Sequence, residues 1–287
     1  MRSEVAQKNE KGLGVGTRRV IAYTVLIIVS FLCLFWFYVL FINATRSNAD
    51  LTKGFRALPS TNLLKNWTGV LNGTQPIIRG MFNSLFVAVC SAVLCTYFST
   101  MTAYAIHAYD FKLKKFMFTF ILMVMMIPAQ VTALGCVQQF RDWKLMNSFI
   151  PLIVPAVAAP VTFFYMKQYM ESNLPLALVE AARIDGSGEF RTFNTIVLPL
   201  MKPAISVQAI FTFVSSWNNY FTPALILKES KRTLPILIAE LRSADWLKFD
   251  MGQVYVTIAF SIFPVILVYL FLSKFIVEGV TAGGVKG

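Results

Sequence analysis

Long apolar runs separated by short polar intervals dominate the chain. Six stretches contain no Asp, Glu, Lys, Arg or His: residues 20–42, 82–106, 116–137, 149–166, 204–227 and 254–272, each 18 to 25 residues long. At about 1.5 Å of rise per helical residue, such lengths cross a hydrocarbon layer roughly 30 Å thick. The pattern therefore predicts an all-α chain with six transmembrane helices. A β-barrel is excluded, because barrel strands are about 10 residues long and alternate apolar with polar positions.

Composition agrees with this frame: of 287 residues, 56% are hydrophobic and only 14% are charged. A first apolar run of 23 residues behind Arg2, Lys8, Lys11, Arg18 and Arg19 exceeds the core of a signal peptide, so it is expected to remain as a span. Lys112, Lys114 and Lys115 crowd the short loop 107–115, against Arg141 and Lys144 in the loop 138–148. By the positive-inside rule, both termini are then cytoplasmic. The resulting division is a cytoplasmic tail at 1–19, a membrane domain at 20–277 with a polar loop at 171–200, and a cytoplasmic tail at 278–287. The net charge of +12 is explained by basic flanks against anionic lipid and needs no nucleic acid.

Several chemistries lack their residues. Cys33, Cys90, Cys95 and Cys136 all fall in apolar runs and are expected to pack as small hydrophobes. His107 is the only histidine, so neither a metal site nor a histidine-based catalytic pair has material. No catalytic residue and no metal ligand is assigned. The glycines at 12, 14 and 16 are followed by Thr17 and Arg18 without the lysine of a phosphate-binding loop, so they mark a flexible tail. Proton- or voltage-coupled transport needs ionisable groups inside the membrane, and the six stretches offer none.

Neutral polar residues occur there instead. Asn83 and Ser84, Gln130 beside Pro128, and Ser215, Ser216, Asn218 and Asn219 either bond neighbouring helices or face a water-filled path. In Trp217, Asn218, Asn219, Tyr220 and Phe221, aromatic faces stand beside amides, a combination able to hold a neutral polyhydroxylated solute. An aromatic belt at the membrane surface is the other reading. Pro223 is placed to break this helix beside a cavity. Asn83, Gln130, Trp217, Asn218, Asn219 and Tyr220 are the candidate path residues.

Between the fourth and fifth stretches lies a polar hairpin. Asn173 is placed to cap a short helix with Pro175 in its first turn, and Gly186 to end it in the left-handed region. Glu180 and Arg183 share one side of this helix, with Leu178, Ala181, Ala182 and Asp185 towards the other. Ser187 and Gly188 turn the chain into a segment where Phe190 and Phe193 share a face, closed by Pro199 and Pro203. Periodicity alone leaves two readings open: a surface helix packed on its own membrane domain, or a lever gripped by another protein.

Glu180, Ala181, Ala182, Gly186, Ile196, Leu198 and Pro199 reproduce, at fixed spacing, the loop signature of permease subunits of binding-protein-dependent ABC importers. The run Ala181–Gly186, the Trp217–Tyr220 segment and the ending Gly279–Gly287 resemble the carbohydrate branch, in particular the maltose-type inner-membrane permease. The resemblance covers roughly residues 15–287.

It implies the type I importer permease fold in a bacterial cytoplasmic membrane. The implied partners are a second homologous permease, two ATPase subunits and an extracellular or periplasmic solute-binding protein. ATP and Mg would sit on the ATPases, with no cofactor on this chain and no enzymatic step by it. Glu180, Ala181, Ala182, Arg183, Asp185 and Gly186 would couple to an ATPase, and Gly283, Gly284 and Lys286 would dock between the two ATPases. Loops 43–81 and 228–253, with Lys228, Lys231, Arg232, Arg242 and Lys248, are the expected contacts to the binding protein. A sugar or oligosaccharide is the expected cargo, with an anionic saccharide or another solute as the alternative and a secondary transporter behind both.

Overall fold

In the computed structural model, which describes residues 15–243 and 250–284, every regular element is helical. Helix α1 spans Val15–Ala44, the short α2 Asn48–Leu51, α3 Leu63–Leu71 and α4 Ile77–Ala108. Then come α5 Lys114–Val124, α6 Ala129–Asp142, α7 Ile150–Ile153, a 3-10 turn at Val154–Val157 and α8 Pro160–Asn173. The polar loop holds α9 Leu176–Ile184, α10 Glu189–Thr192, a π turn at Phe193–Val197 and α11 Leu198–Leu200. The last part comprises α12 Lys202–Trp217, α13 Phe221–Ile226, a 3-10 turn at Glu229–Lys231, α14 Leu234–Ser243 and α15 Met251–Gly284.

Helix α4 is the spine of the molecule. Its buried residues Ser84, Ala88, Ser91, Ala92, Cys95, Thr96, Ser99, Thr100 and Ala103 are all small and recur every three or four positions. Such a stripe lets neighbouring backbones approach closely, which is how helices associate where lipid removes the hydrophobic drive. Helices α8 and α12 and the 3-10 turn Val154–Val157 pack along it. Hydroxyls on the stripe bond back to their own helix: Thr96 Oγ1 donates to Ala92 O at 2.8 Å and Thr100 Oγ1 to Thr96 O at 2.6 Å. The four cysteines are unpaired, and Cys95 lies between the hydroxyls of Thr162 and Thr212.

Two clusters of buried side chains sit at opposite ends of α4. Near its start, Ile77 and Ala88 join Ala44, Val70, Phe213, Trp217, Leu234, Leu237 and Val256. Near its end, Ala103, Tyr104 and Ile106 join Phe163, Met166, Met170, Leu174, Val179, Phe193, Val197 and Met201. By contrast α1 is largely exposed, with Trp36 70% accessible, and it packs mainly on α15. Apolar exposure on that scale is what a lipid-facing helix requires.

The six apolar stretches do not all become single helices. Spans Gly16–Ala44, Ile77–Ala108, Ile150–Asn173 and Met251–Ile276 are individually long and apolar enough to cross a membrane. Helix α12, Lys202–Trp217, is long and apolar enough only together with Glu189–Leu200, from which it is bent by 80°. Stretch 116–137 is divided between α5 and α6, because Pro128 has no backbone N–H and disfavours helical geometry at Ile127. The fifth stretch breaks at Asn218–Tyr220, ahead of the position expected from Pro223, which instead lies buried in the first turn of α13. At the N-terminus the expected tail 1–19 overlaps α1, already helical from Val15, and residues 1–14 lie outside the described region.

Close backbone approaches fasten the loop 43–81 to the start of α15. A Cβ placed on Gly252 would lie 2.8 Å from the Arg46 carbonyl and 2.6 Å from Asn66 Nδ2, and Asn66 itself donates to the carbonyls of Ala44 and Arg46 at 2.9 Å each. Gly252→Ala is therefore expected to destabilise the folded chain by about 1–3 kcal/mol through overpacking against backbone. A fall in the unfolding midpoint of the detergent-purified protein checks this, while Gly135→Ala, which lies within α6 and meets open space, does not lower the midpoint.

Candidate functional site

Pro175 opens α9 at its N-cap, and Gly186 closes it at a φ of +75°. Gly186 N donates to Arg183 O at 3.0 Å and Ser187 N to Ala182 O at 2.9 Å. These two bonds satisfy the last free carbonyls of the helix in a Schellman arrangement, which needs a left-handed residue at this position. Asn173 does not cap α9 as expected. It is the final residue of α8 and its Nδ2 donates back to Tyr169 O at 2.9 Å.

Ahead of Pro199 the helix widens into a π turn, with Leu198 N donating to Phe193 O. A proline ring in a regular helix collides with the carbonyl four residues earlier, and the extra residue in the turn absorbs that collision. Phe190 and Phe193 do not share a face: Phe193 is buried, while Phe190 is 69% exposed.

Burial divides α9 sharply. Val179 points into the core cluster at the end of α4 and Ala182 is buried as well, whereas Leu178, Glu180, Ala181, Ile184 and Asp185 are exposed, Ile184 by 86%. Ala182 is thereby separated from Ala181, with which the sequence grouped it. The small side chain lets α9 lie close on its own chain rather than on an outside surface. His107 Nε2 is 3.0 Å from Leu174 O and fixes the entry to the hairpin on the end of α4.

A polar clamp completes the attachment. Arg183 Nε donates to Glu189 Oε1 at 2.8 Å, the Tyr109 hydroxyl donates to Glu189 Oε2, and the Tyr104 hydroxyl does so at 3.3 Å. The Arg183 guanidinium also lies over the Tyr109 ring, 5.0 Å from its centroid. These contacts hold the Glu189 carboxyl below the usual carboxylate range, chiefly through Arg183 and then Tyr109. They raise Arg183 further, through the same bond to Glu189. The Tyr109 phenol is pushed up by burial first and by the Glu189 carboxylate second. Arg183, grouped with Glu180 on sequence spacing, is thus engaged within its own chain, and Glu180 stands outward without it.

The candidate path residues are not brought together. Trp217 is 4% exposed and stacks on Phe213 at 5.8 Å in the core cluster near the start of α4, so it is a packing residue. Asn83 Nδ2 donates to Ser230 O at 3.0 Å and Arg232 O at 2.9 Å, tying α4 to the loop before α14. Gln130 lies exposed in the first turn of α6. Asn218 and Tyr220 are exposed and Asn219 half-buried, at the break between α12 and α13.

The family model for the binding-protein-dependent transport system inner membrane component matches residues 96–281. The chain belongs to that family. Among its relatives, the arabinooligosaccharides transport system permease protein AraQ of Bacillus subtilis is 34% identical over 90% of this chain and 92% of that protein. The sn-glycerol-3-phosphate transport system permease protein UgpE of Yersinia enterocolitica is 29% identical over 95% and 97%. A solved bacterial ABC transporter involved in importing the acidic polysaccharide alginate contains a chain of the same fold, with a TM-score of 0.76 at 21% identity, covering 92% of this chain and 98% of that one. As a permease, the chain is a transport subunit of the inner membrane with an all-α, multi-pass, type I importer fold.

In this permease, helix α15 runs through Gly283 and Gly284, two of the residues expected to dock between the ATPases, while Lys286 lies outside the described residues. Of the five basic residues expected to face outward, Lys231 Nζ donates to Asn147 O at 2.8 Å and Arg232 pairs with Glu240 at 2.9 Å. Lys248 lies outside the described residues. Sequence reasoning missed Ile184, Tyr109 and Glu189. Ile184 was legible as an apolar residue three positions after Ala181, but the clamp joins groups up to 85 residues apart and leaves no local signal.

Glu189→Gln and Tyr109→Phe are each expected to speed amide exchange in residues 186–198 without changing exchange in α12, as hydrogen-exchange mass spectrometry would show. The pH dependence has a fixed sign. A carboxyl held low keeps its clamp down through the ordinary carboxylate pKa of about 4.3 and loses it only as pH falls through the lower folded value. Hairpin protection, corrected for intrinsic rates, should therefore stay level from pH 8 to about 5.

Proposed function

We propose that this chain is one of two related permeases in an ATP-driven importer of a sugar or oligosaccharide, and that the α9 hairpin receives the stroke of a partner ATPase. The carrying observation is the division of α9: one face is anchored to the end of α4 by packing and by the Glu189 clamp, and the other is left exposed. That free face presents Leu178, Ala181 and Ile184 beside Glu180 and Asp185. An apolar patch ringed by acid groups on a polar loop fits a protein cleft with basic edges. Gly186 sets the turn that presents it.

On this reading the hairpin and both termini are cytoplasmic, and the divided stretch 114–142 supplies the sixth crossing. Two ATPase subunits carry ATP and Mg, and an external solute-binding protein meets the far end. ATP-driven closure draws the hairpins together, and because Val179 and the clamp bind α9 to the end of α4, the displacement passes directly to the spine of the permease. Hydrolysis resets it. The docking role between the two ATPases falls to Gly283 and Gly284, in the last turn of α15, together with Lys286. Of the solutes named for the relatives, a neutral oligosaccharide suits apolar stretches free of ionisable groups better than a phosphate ester does.

Expressed with its partners, Ile184→Asp combined with Glu180→Lys should abolish co-purification of the ATPase or lower solute uptake by at least about tenfold, as loss of interface anchors does. Uptake by reconstituted vesicles checks it, and uptake at the parental rate would refute the hairpin's role.

A further inference from the structure

Helix α4 has 32 residues and so runs about 48 Å from Ile77 to Ala108. Its end carries the hairpin, and its start carries the loop before α14 through Asn83 and through Ser84, whose Oγ accepts from Leu234 N at 2.8 Å. At that far end lies a cavity of about 590 Å³ whose polar lining consists of Tyr220, Lys228, Glu229, Arg232 and Glu240. We propose that this cavity is a binding subsite for a neutral saccharide at the outer mouth of the permease. The inference rests on the importer reading, which places this end outside.

Three independent features point to a ligand. The first is backbone strain. Glu229 has a φ of +46° and Asn147, which holds the same loop, a φ of +55°. Asn147 Oδ1 accepts from Lys228 N at 3.0 Å, and its own N donates to Ile226 O at 3.0 Å. Glycine would take the left-handed position at 229 without cost, so a glutamate held there indicates a demand for the carboxylate.

The second is charge balance. Two cations and two carboxylates line the cavity, one of each joined in the Arg232 to Glu240 pair, whose side chains remain 35% and 29% accessible. A site for a phosphate ester or a uronic acid gathers cations in excess, whereas this one offers donors and acceptors in equal measure. Hydroxyl groups, which both donate and accept, match that pattern.

The third is Tyr220, 50% exposed at the rim and followed within the lining by the apolar Ala224, Leu227, Ile236 and Ala239. An aromatic face beside apolar surface suits the C–H face of a pyranose or furanose ring. The volume falls within the range of small-ligand cavities, roughly 300–1,000 Å³, and holds one or two sugar units rather than a helix or a folded protein segment.

The test uses the intact importer complex in lipid nanodiscs without its solute-binding protein, carrying Ala239→Cys as reporter. Labelling by a small polar methanethiosulfonate is read at residue 239 by mass spectrometry, so the native cysteines stay in place. Millimolar arabinotriose, maltotriose or xylotriose should slow labelling at least about threefold, and sn-glycerol 3-phosphate should not. Glu229→Gln or Tyr220→Ala should raise the half-protecting concentration about tenfold, as expected when a buried ligand group loses its partner. Ala224→Cys serves as reporter if the first variant does not assemble. Labelling unchanged by all three neutral sugars, equal protection by glycerol 3-phosphate, or a half-protecting concentration indifferent to Glu229→Gln would each overturn the proposal. Absence of an ATPase from the parental complex would overturn the importer reading as well, which separates the two failures.

Discussion

The structure depends on how closely α4 lets its neighbours approach. Inside a membrane the apolar effect does not distinguish lipid from protein, so contact distance and internally satisfied polar groups decide which helices associate. The stripe from Ser84 to Ala103 contributes to both, since small side chains allow close contact, Thr96 and Thr100 return their hydrogen bonds to the same helix, and Ser84 and Ser91 bond backbone groups of the elements packed against it. Because the helix is long, the buried clusters at its two ends belong to one rigid element. A displacement applied at one end need not cross a flexible joint to reach the other.

The hairpin shows how such an element is addressed from outside. Its inward residues Val179 and Phe193 are buried in the cluster at the end of α4, Ala182 is buried beside them in the hairpin, and its polar clamp is partly exposed. Exposed ion pairs contribute little to stability, so the packing holds the hairpin and the clamp orients it. Orientation matters because α9 is only nine residues long, and a small rotation would turn Ile184 away from any partner. Gly186 ends α9 at a defined point, and the π turn lets the following helix continue past Pro199.

At the opposite end, buried polar side chains replace regular structure as the organising device. Asn66, Asn83 and Ser84 each bond backbone groups distant in sequence, which gives those groups partners where irregular chain packs against helices. Arg46 is buried there too, donating to Asn43 Oδ1 at 3.4 Å and to the Asp50 carbonyl. Amide side chains expected from sequence to line a path therefore serve in part as fasteners, and Asn83 is the clearest case.

By itself the sequence determined the class, the approximate position of each apolar segment and the hairpin with its left-handed Gly186, because run length and turn chemistry are local properties. It also carried the family signature, since Glu180, Ala181, Ala182, Gly186 and Pro199 lie within a single short segment. Only the tertiary structure decided that Ala182 faces inward while Ala181 faces out, that Trp217 belongs to the core, and that Arg183 is engaged by Glu189 and Tyr109. Those outcomes depend on which surface meets which, and a helix with apolar residues on several sides has no periodicity from which that choice follows. The clamp and the outer cavity are assembled from residues far apart in the chain, so their geometry exists only once α4 has brought its two ends into place.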